Sequence, residues 1–151
     1  MKIFLASDHR GFEIKAIVKK HLLNAGYSVE DDGDEKYDAS DDFTIYASKA
    51  VNNLLSSNDS NAKAILVCGS GQGMVMAANR FKGIRAGLGW SVEAAKGIRN
   101  DEDSNVLALP SNLASKPNGQ KEILDIIDAW LKTPFAGAAR YTRRNQALDQ
   151  F

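Results

Sequence analysis

The chain has one cysteine, no net charge and no apolar run long enough to cross a membrane, and each shortage excludes a class of protein. A lone Cys68 closes no internal disulfide, which makes a reducing cytoplasm the expected compartment. Nineteen basic residues cancel nineteen acidic ones, so no global field draws the chain to nucleic acid or to an anionic membrane surface. Any anion site has to be local, and Arg140, Arg143 and Arg144 form a local basic cluster. The first apolar stretch, Ile3 to Ala6, is too short before Asp8 for a signal peptide or a membrane span. Internal repeats and low-complexity tracts are missing too. What is present is an ordinary globular composition, 44% hydrophobic over 151 residues, enough for a single domain covering 1–151 to bury its own core.

Strand-like and helix-like segments alternate, the pattern of βαβ units with a parallel sheet between two layers of helices. The expected strands are Lys2–Ser7, Tyr27–Glu30, Ala62–Cys68, Ile84–Leu88 and Val106–Leu109. After the first, Ile14, Ile17, Val18 and Leu22 make one apolar helical stripe that ends before Gly26. The acidic stretch from Asp31 to Asp42 has neither period and reads as a surface loop, followed by a helix over Phe43–Leu55. A helix starting near Asn118 carries Ile123, Ile126, Ile127, Trp130 and Leu131, and Pro134 ends it. Arg140–Phe151 reads as a final helix with few apolar residues. The tail from about 134 to 151 is therefore expected to pack on a partner subunit.

The densest chemistry lies where the apolar run Ile65–Val67 stops at Cys68 and turns through Gly69, Gly71 and Gly73 into the helix-like Met74–Arg80. The C-terminal edge of an open α/β sheet is where ligands bind, and the N–H groups of such a turn favour negative charge, a thiolate included. A small buried hydrophobe is the ordinary role of a free cysteine, and the glycine loop argues against that role here. The glycine spacing misses the dinucleotide fingerprint, because position 74 is Met, and it lacks the Gly-Lys-Ser/Thr ending of a nucleotide P-loop. Strand three also ends in Cys-Gly rather than a phosphoacceptor Asp, which sets a receiver-type signalling domain aside. Met74 and Met76 read as core packing.

Asp8 suits an N-cap as well as a catalytic carboxylate. His9 gains interest from its neighbours, whereas His21 reads as a partly solvated helix residue. Asp8–His9, the Cys68–Gly73 loop and the Asn100–Asn105 loop are expected at one sheet edge, converging on a cleft. Arg140 and Arg144, four residues apart, share a helical face and suit either a solvated tail or a bidentate grip on phosphate.

Ser7-Asp8-His9-Arg10-Gly11-Phe12-Glu13-Ile14-Lys15, Cys68-Gly69-Ser70-Gly71-Gln72-Gly73-Met74, Ala77–Phe81, Gly83–Ala86, Asn105–Pro110 and Asp128–Leu131, in that order, resemble the type B ribose-5-phosphate isomerase family, which includes galactose-6-phosphate isomerases. The resemblance implies a Rossmann-like αβα sandwich on a five-stranded parallel sheet, a homodimer or dimer of dimers with sites at the interface, and no metal or organic cofactor. It implies a sugar phosphate as substrate and Cys68 as the base that moves a proton between C1 and C2. The N–H groups of Gly69, Gly71, Gln72 and Gly73 would hold the enediolate oxygen, with Ser70 aiding proton traffic. Asp8 would assist ring opening, His9, Arg140 and Arg144 would bind phosphate, and Asp42 and Phe43 stand where the family has an Asp-Tyr pair. Asn105 and Asp101 are further substrate-binding candidates.

Three positions depart from the family pattern. Asp101-Glu102 replaces a His-Asn pair whose histidine opens the sugar ring. Asn112 replaces a phosphate-contacting arginine after strand five, and Ala138-Ala139-Arg140-Tyr141 replaces Gly-Gly-Arg-His. Two of the three normally serve the neighbouring subunit. The expected activity is a cofactor-independent aldose–ketose isomerase through a cis-enediolate, by default on ribose 5-phosphate and ribulose 5-phosphate. A different aldose or ketose phosphate, or a non-catalytic sugar-phosphate-binding role, stays open. Lys96 or Arg99 is the expected substitute for the cation lost at 112.

Overall fold

The computed structural model describes residues 1–151. Five short runs form strands β1 (Lys2–Ser7), β2 (Ser28–Asp31), β3 (Lys63–Cys68), β4 (Ala86–Leu88) and β5 (Val106–Pro110), the three central ones largely apolar and the edge strand β2 polar. All pairings are parallel, in the order β2-β1-β3-β5-β4. Helices α1 (Phe12–Asn24), α2 (Phe43–Leu55), α3 (Gln72–Ala78), α4 (Val92–Asn100) and α5 (Gly119–Lys132) connect the strands or follow them, and α6 (Ala139–Leu148) closes the chain. This is the Rossmann-like α/β sandwich that the alternating pattern implies.

Side chains alternate across the sheet with a period of two, which splits the core into halves. Ile3, Leu5, Ile65, Val67, Leu107 and Leu109 face α1, α4 and α5, where Val18, Leu22, Ala95, Ile126 and Trp130 meet them. Phe4, Ala6, Ala64, Leu66, Cys68 and Ala108 face α2 and α3, where Ala47, Ala50, Val51 and Met74 are equally buried. Cys68 belongs to this second half. None of the helices is long and apolar enough to cross a membrane.

Most differences from the expected boundaries have a hydrogen-bonding reason. Tyr27 lies outside β2 because its N–H closes α1 on the Leu22 carbonyl, at 3.1 Å. Ile84 stays out of β4 because its N–H bonds the Phe81 carbonyl in a turn through Gly83. Helix α4 has no expected counterpart. Its apolar residues are few and Gly97 interrupts them, and its clearest marker is Ser91, whose hydroxyl caps the Ala94 N–H at 3.1 Å.

One buried cation ties the acidic loop to α1. Lys15 is 4% exposed and donates to Asp31 Oδ1 and to the Asp34 carbonyl, each at 2.8 Å. Burial alone would raise the Asp31 carboxyl, but hydrogen bonds from Lys15 and then Lys19 outweigh it and hold the group below its ordinary value. A lowered folded value adds stability above the unfolded value of 3.8 and gives it up as pH falls through the folded one. Lys15→Met is therefore expected to destabilise the fold by about 2 kcal/mol at neutral pH, since it breaks a largely buried pair while Lys19 remains. Denaturant melts should show the deficit shrinking in acid; a deficit constant from pH 7 to pH 3 would contradict this account.

Candidate active site

The strand order reverses direction at β1: one connection runs outward to β2 and the next crosses to β3. The C-terminal crevice between β1 and β3 is thus the switch point of the sheet, where α/β folds bind ligands. Ser7 pairs with Val67 and Cys68 pairs with Pro110. One step beyond Ser7, Asp8 comes beside Cys68 across that crevice, with its N–H on the Val67 carbonyl at 3.3 Å.

Cys68 is 6% exposed, and its Sγ accepts the Gly71 N–H at 3.1 Å. That contact needs the turn, in which Gly71 takes φ +75°, a left-handed conformation that side chains disfavour, and so starts α3. An N–H aimed at sulfur stabilises negative charge on it. Ser70 is exposed, and its Oγ accepts the Gln72 N–H at 3.4 Å. The Phe43 ring packs against Gly73 and walls the loop on the α2 side, while Asp42 next to it is exposed and caps nothing.

Asp8 accepts the Gly11 N–H at 3.0 Å and caps the short turn His9–Gly11, so the cap reading holds whatever else the carboxylate does. Burial raises its carboxyl above the ordinary value, and the Gly11 N–H and His9 offset only part of that. A raised folded value means stability is fullest below the unfolded value of 3.8 and is lost as pH climbs through the folded one, so the ionised Asp8 strains the neutral-pH fold. Asp8→Asn keeps the acceptor for Gly11. It is expected to melt at or above the parent's temperature at pH 7, with the gain vanishing in acid, and to lose about 10²-fold in turnover. A clear drop in melting temperature at pH 7 would refute the strain.

His9 Nδ1 meets Asp41 Oδ1 at 2.5 Å, and Tyr37 stands edge-on to the imidazole. Asp41 fixes the ring, a role that sequence reasoning missed because nothing separates Asp41 from the other acids of its loop. Arg10 was missed as well. It is an exposed residue whose guanidinium lies over Gly69 and donates to Asn112 Oδ1 at 3.2 Å.

The expectation of three loops at one edge is corrected. A loop that precedes a parallel strand lies at the opposite edge from loops that follow strands, and Asn100–Asn105 precedes β5. Asn105 sits alongside Lys63, with its carbonyl on the Ala64 N–H, about 16 Å along the sheet from Cys68 at 3.3 Å per residue. Its side chain is fully used, accepting from the Arg85 N–H at 2.9 Å and donating to the Gly83 carbonyl at 2.8 Å. It is a clamp between β4 and β5, not a ligand to a molecule at Cys68.

Asp101 shares that far edge with α6. Its charge acts on Arg140, and that of Arg144 acts on Glu102. Arg140 and Arg144 are exposed, and Arg140 Nη2 donates to the Tyr141 hydroxyl at 2.8 Å. Within one chain these four residues are therefore apart from Cys68, Asp8 and His9. Arg99 is no substitute cation, because it is 7% exposed and bound to Asp103 Oδ1 at 2.8 Å and the Ser104 carbonyl at 2.6 Å. Lys96 is exposed on α4. No three His, Cys, Asp or Glu side chains converge as metal ligands would.

Fold and site together define a class: a Rossmann-like α/β protein with a cysteine and an aspartate side by side at the switch point of a parallel sheet. The model of the Ribose/Galactose Isomerase family matches residues 3–148, and the chain belongs to that family. It is 34% identical over 151 residues to ribose-5-phosphate isomerase B of Mycolicibacterium paratuberculosis, covering 100% of this chain and 91% of the relative. It is 37% identical over 149 residues to the probable ribose-5-phosphate isomerase B of Mycoplasma genitalium, covering 99% and 94%. Among solved structures, a ribose 5-phosphate isomerase from Thermotoga maritima superposes with a TM-score of 0.89 at 40% identity, over 99% of this chain and 98% of that one. Ribose-5-phosphate isomerase B from Mycoplasma genitalium, solved with bound ribulose-5-phosphate, superposes with a TM-score of 0.90 at 35% identity, over 99% and 94%.

Proposed function

We propose that the protein interconverts an aldose phosphate and a ketose phosphate through a cis-enediolate, with Cys68 as the base. The observation that carries the reading is the row Asp8–Cys68–Pro110 at the switch point, with the sulfur held by the Gly71 N–H. The thiolate takes the proton from C2 of the open-chain aldose and returns it to C1. The remaining loop N–H groups face the oxygen on which charge develops, and Ser70 passes the hydroxyl proton between O1 and O2. Asp8 orients the substrate hydroxyls.

A dimer completes the site. Asp101, Glu102, Arg140 and Arg144 lie too far from Cys68 to serve their own subunit, so the partner's copies approach it instead and the two arginines grip the phosphate. The C-terminal helix suits that role, since Leu148 and Phe151 are exposed, and Asp149 is its only side chain ion-paired to the body, 3.7 Å from Arg85.

Substrate choice follows from the acids at 101 and 102. Burial, and then the Asp101 charge, raise the Glu102 carboxyl above its ordinary value, but a carboxyl is a poorer proton donor to a ring oxygen at neutral pH than an imidazole. Ring opening is the weak step, and a substrate that cannot close a ring escapes it. An aldotetrose 4-phosphate has no free hydroxyl for a five-membered ring. Its kcat/KM is expected to exceed that for ribose 5-phosphate by about tenfold or more. Kinetics on both sugars tests this, and a preference for ribose 5-phosphate would return the default pair; no interconversion of any sugar phosphate would end the isomerase reading.

A further inference from the structure

We propose that Arg10 is the resident phosphate anchor of this site, a cation brought in from the end of β1 to Asn112, two residues past the end of β5. The inference rests on the sugar-phosphate reading for its ligand, but its geometry stands apart from the chemistry at Cys68. Arg10 lies in the turn directly after β1, and its carbonyl accepts the Ser111 hydroxyl at 2.8 Å, which pins the turn to the residues just past the end of β5 at Pro110. A Cβ on Gly69 would come within 2.5 Å of Arg10 Cζ and Nε, so the guanidinium rests directly against the glycine and occupies the space a side chain there would take. Asn112 completes the seat, donating its N–H to the Gly69 carbonyl at 3.1 Å and accepting from Arg10 Nη2 at 3.2 Å.

Two features make this a binding group rather than a packed one. The charge is uncompensated: Arg10 joins no ion pair, whereas neighbouring His9 has Asp41 and Lys15 has Asp31. The donors are also unspent, because one guanidinium N–H bond is made and an arginine has five N–H groups in a planar fork that matches phosphate oxygens. Beside it opens a polar cavity of about 380 Å³ lined by His9, Arg10, Glu13, Tyr37, Ser111 and Asn112. Glu13 forms no salt bridge with the guanidinium, so the fork is free to meet a dianion. Asparagine at 112 fits the arrangement, since an arginine there would face Arg10 with a like charge, whereas the amide oxygen steers it.

The test compares the full-length protein with Arg10→Met, Arg10→Lys and the double variant Arg10→Ala/Asn112→Arg. Inorganic phosphate binding is measured by calorimetry, and kcat and KM are measured on a sugar phosphate. Arg10→Met is expected to weaken phosphate binding and raise KM by about ten- to a hundred-fold, with the loss falling mainly on KM rather than kcat. Lysine keeps the charge without the fork and should recover part of the affinity, and arginine at 112 should recover most of it. If no sugar phosphate is turned over, the isomerase reading fails while the phosphate titration still decides Arg10. Phosphate binding by Arg10→Met within twofold of the parent, or none by the parent itself, would overturn the proposal.

Discussion

Cys68→Ala is expected to lose about 10³- to 10⁴-fold in kcat while keeping its fold and its affinity for sugar phosphate, the usual scale for removing a positioned proton-transfer group. The substitution deletes one sulfur from the α2/α3 half of the core, which also holds small or flexible residues such as Ala6, Ala108 and Met74. A cavity of that size costs about 1 kcal/mol, too little to unfold a domain of this length. Cys68→Ser restores the volume and not the chemistry, because a serine hydroxyl stays protonated where a thiol ionises. It should therefore be as stable as the parent and as inactive as the alanine variant. Turnover by either variant within tenfold of the parent, measured on the sugar that the parent handles best, would remove Cys68 from the reaction.

The sheet was legible because its signal is local. The strands are runs of three to six residues, the central ones apolar on both faces, and the chain alternates such runs with 3.6-period stripes. Helix α4 was not legible, since its buried residues are only Ala95 and the stem of Arg99, and a charged residue gives no apolar period. In the site, Cys68, Asp8 and the glycine turn could be found because a strand end followed by glycine has one geometric meaning. The far-edge residues were misplaced for the converse reason. Position before or after a strand decides the edge in a parallel sheet, and Asp101 and Asn105 precede β5. Arg10 and Asp41 were hidden because their importance lies in contacts with Asn112 and His9, which are 102 and 32 residues away in sequence.

Two inactive variants are expected to regain activity when their subunits are mixed. The thiol, Asp8 and His9 stand at the C-terminal edge of the sheet, while Asn105, about 16 Å along it, marks the opposite edge, which Asp101 shares with the helix of Arg140 and Arg144. The proposed two-fold dimer would solve this by symmetry: each subunit's far edge would meet its partner's near edge, and each site would take Cys68 from one chain and the arginines from the other. Arg140→Ala/Arg144→Ala removes two charge-assisted bonds to phosphate, so roughly 10²- to 10⁴-fold in kcat/KM should go with them. Refolded together with Cys68→Ala in equal amounts, the double variant forms mixed dimers as half the population, each with one site carrying both defects and one carrying neither. Activity should then rise from almost nothing to about a quarter of the parent's. If the mixture is no more active than its two parents measured separately, the arginines either serve their own chain or do not serve the site.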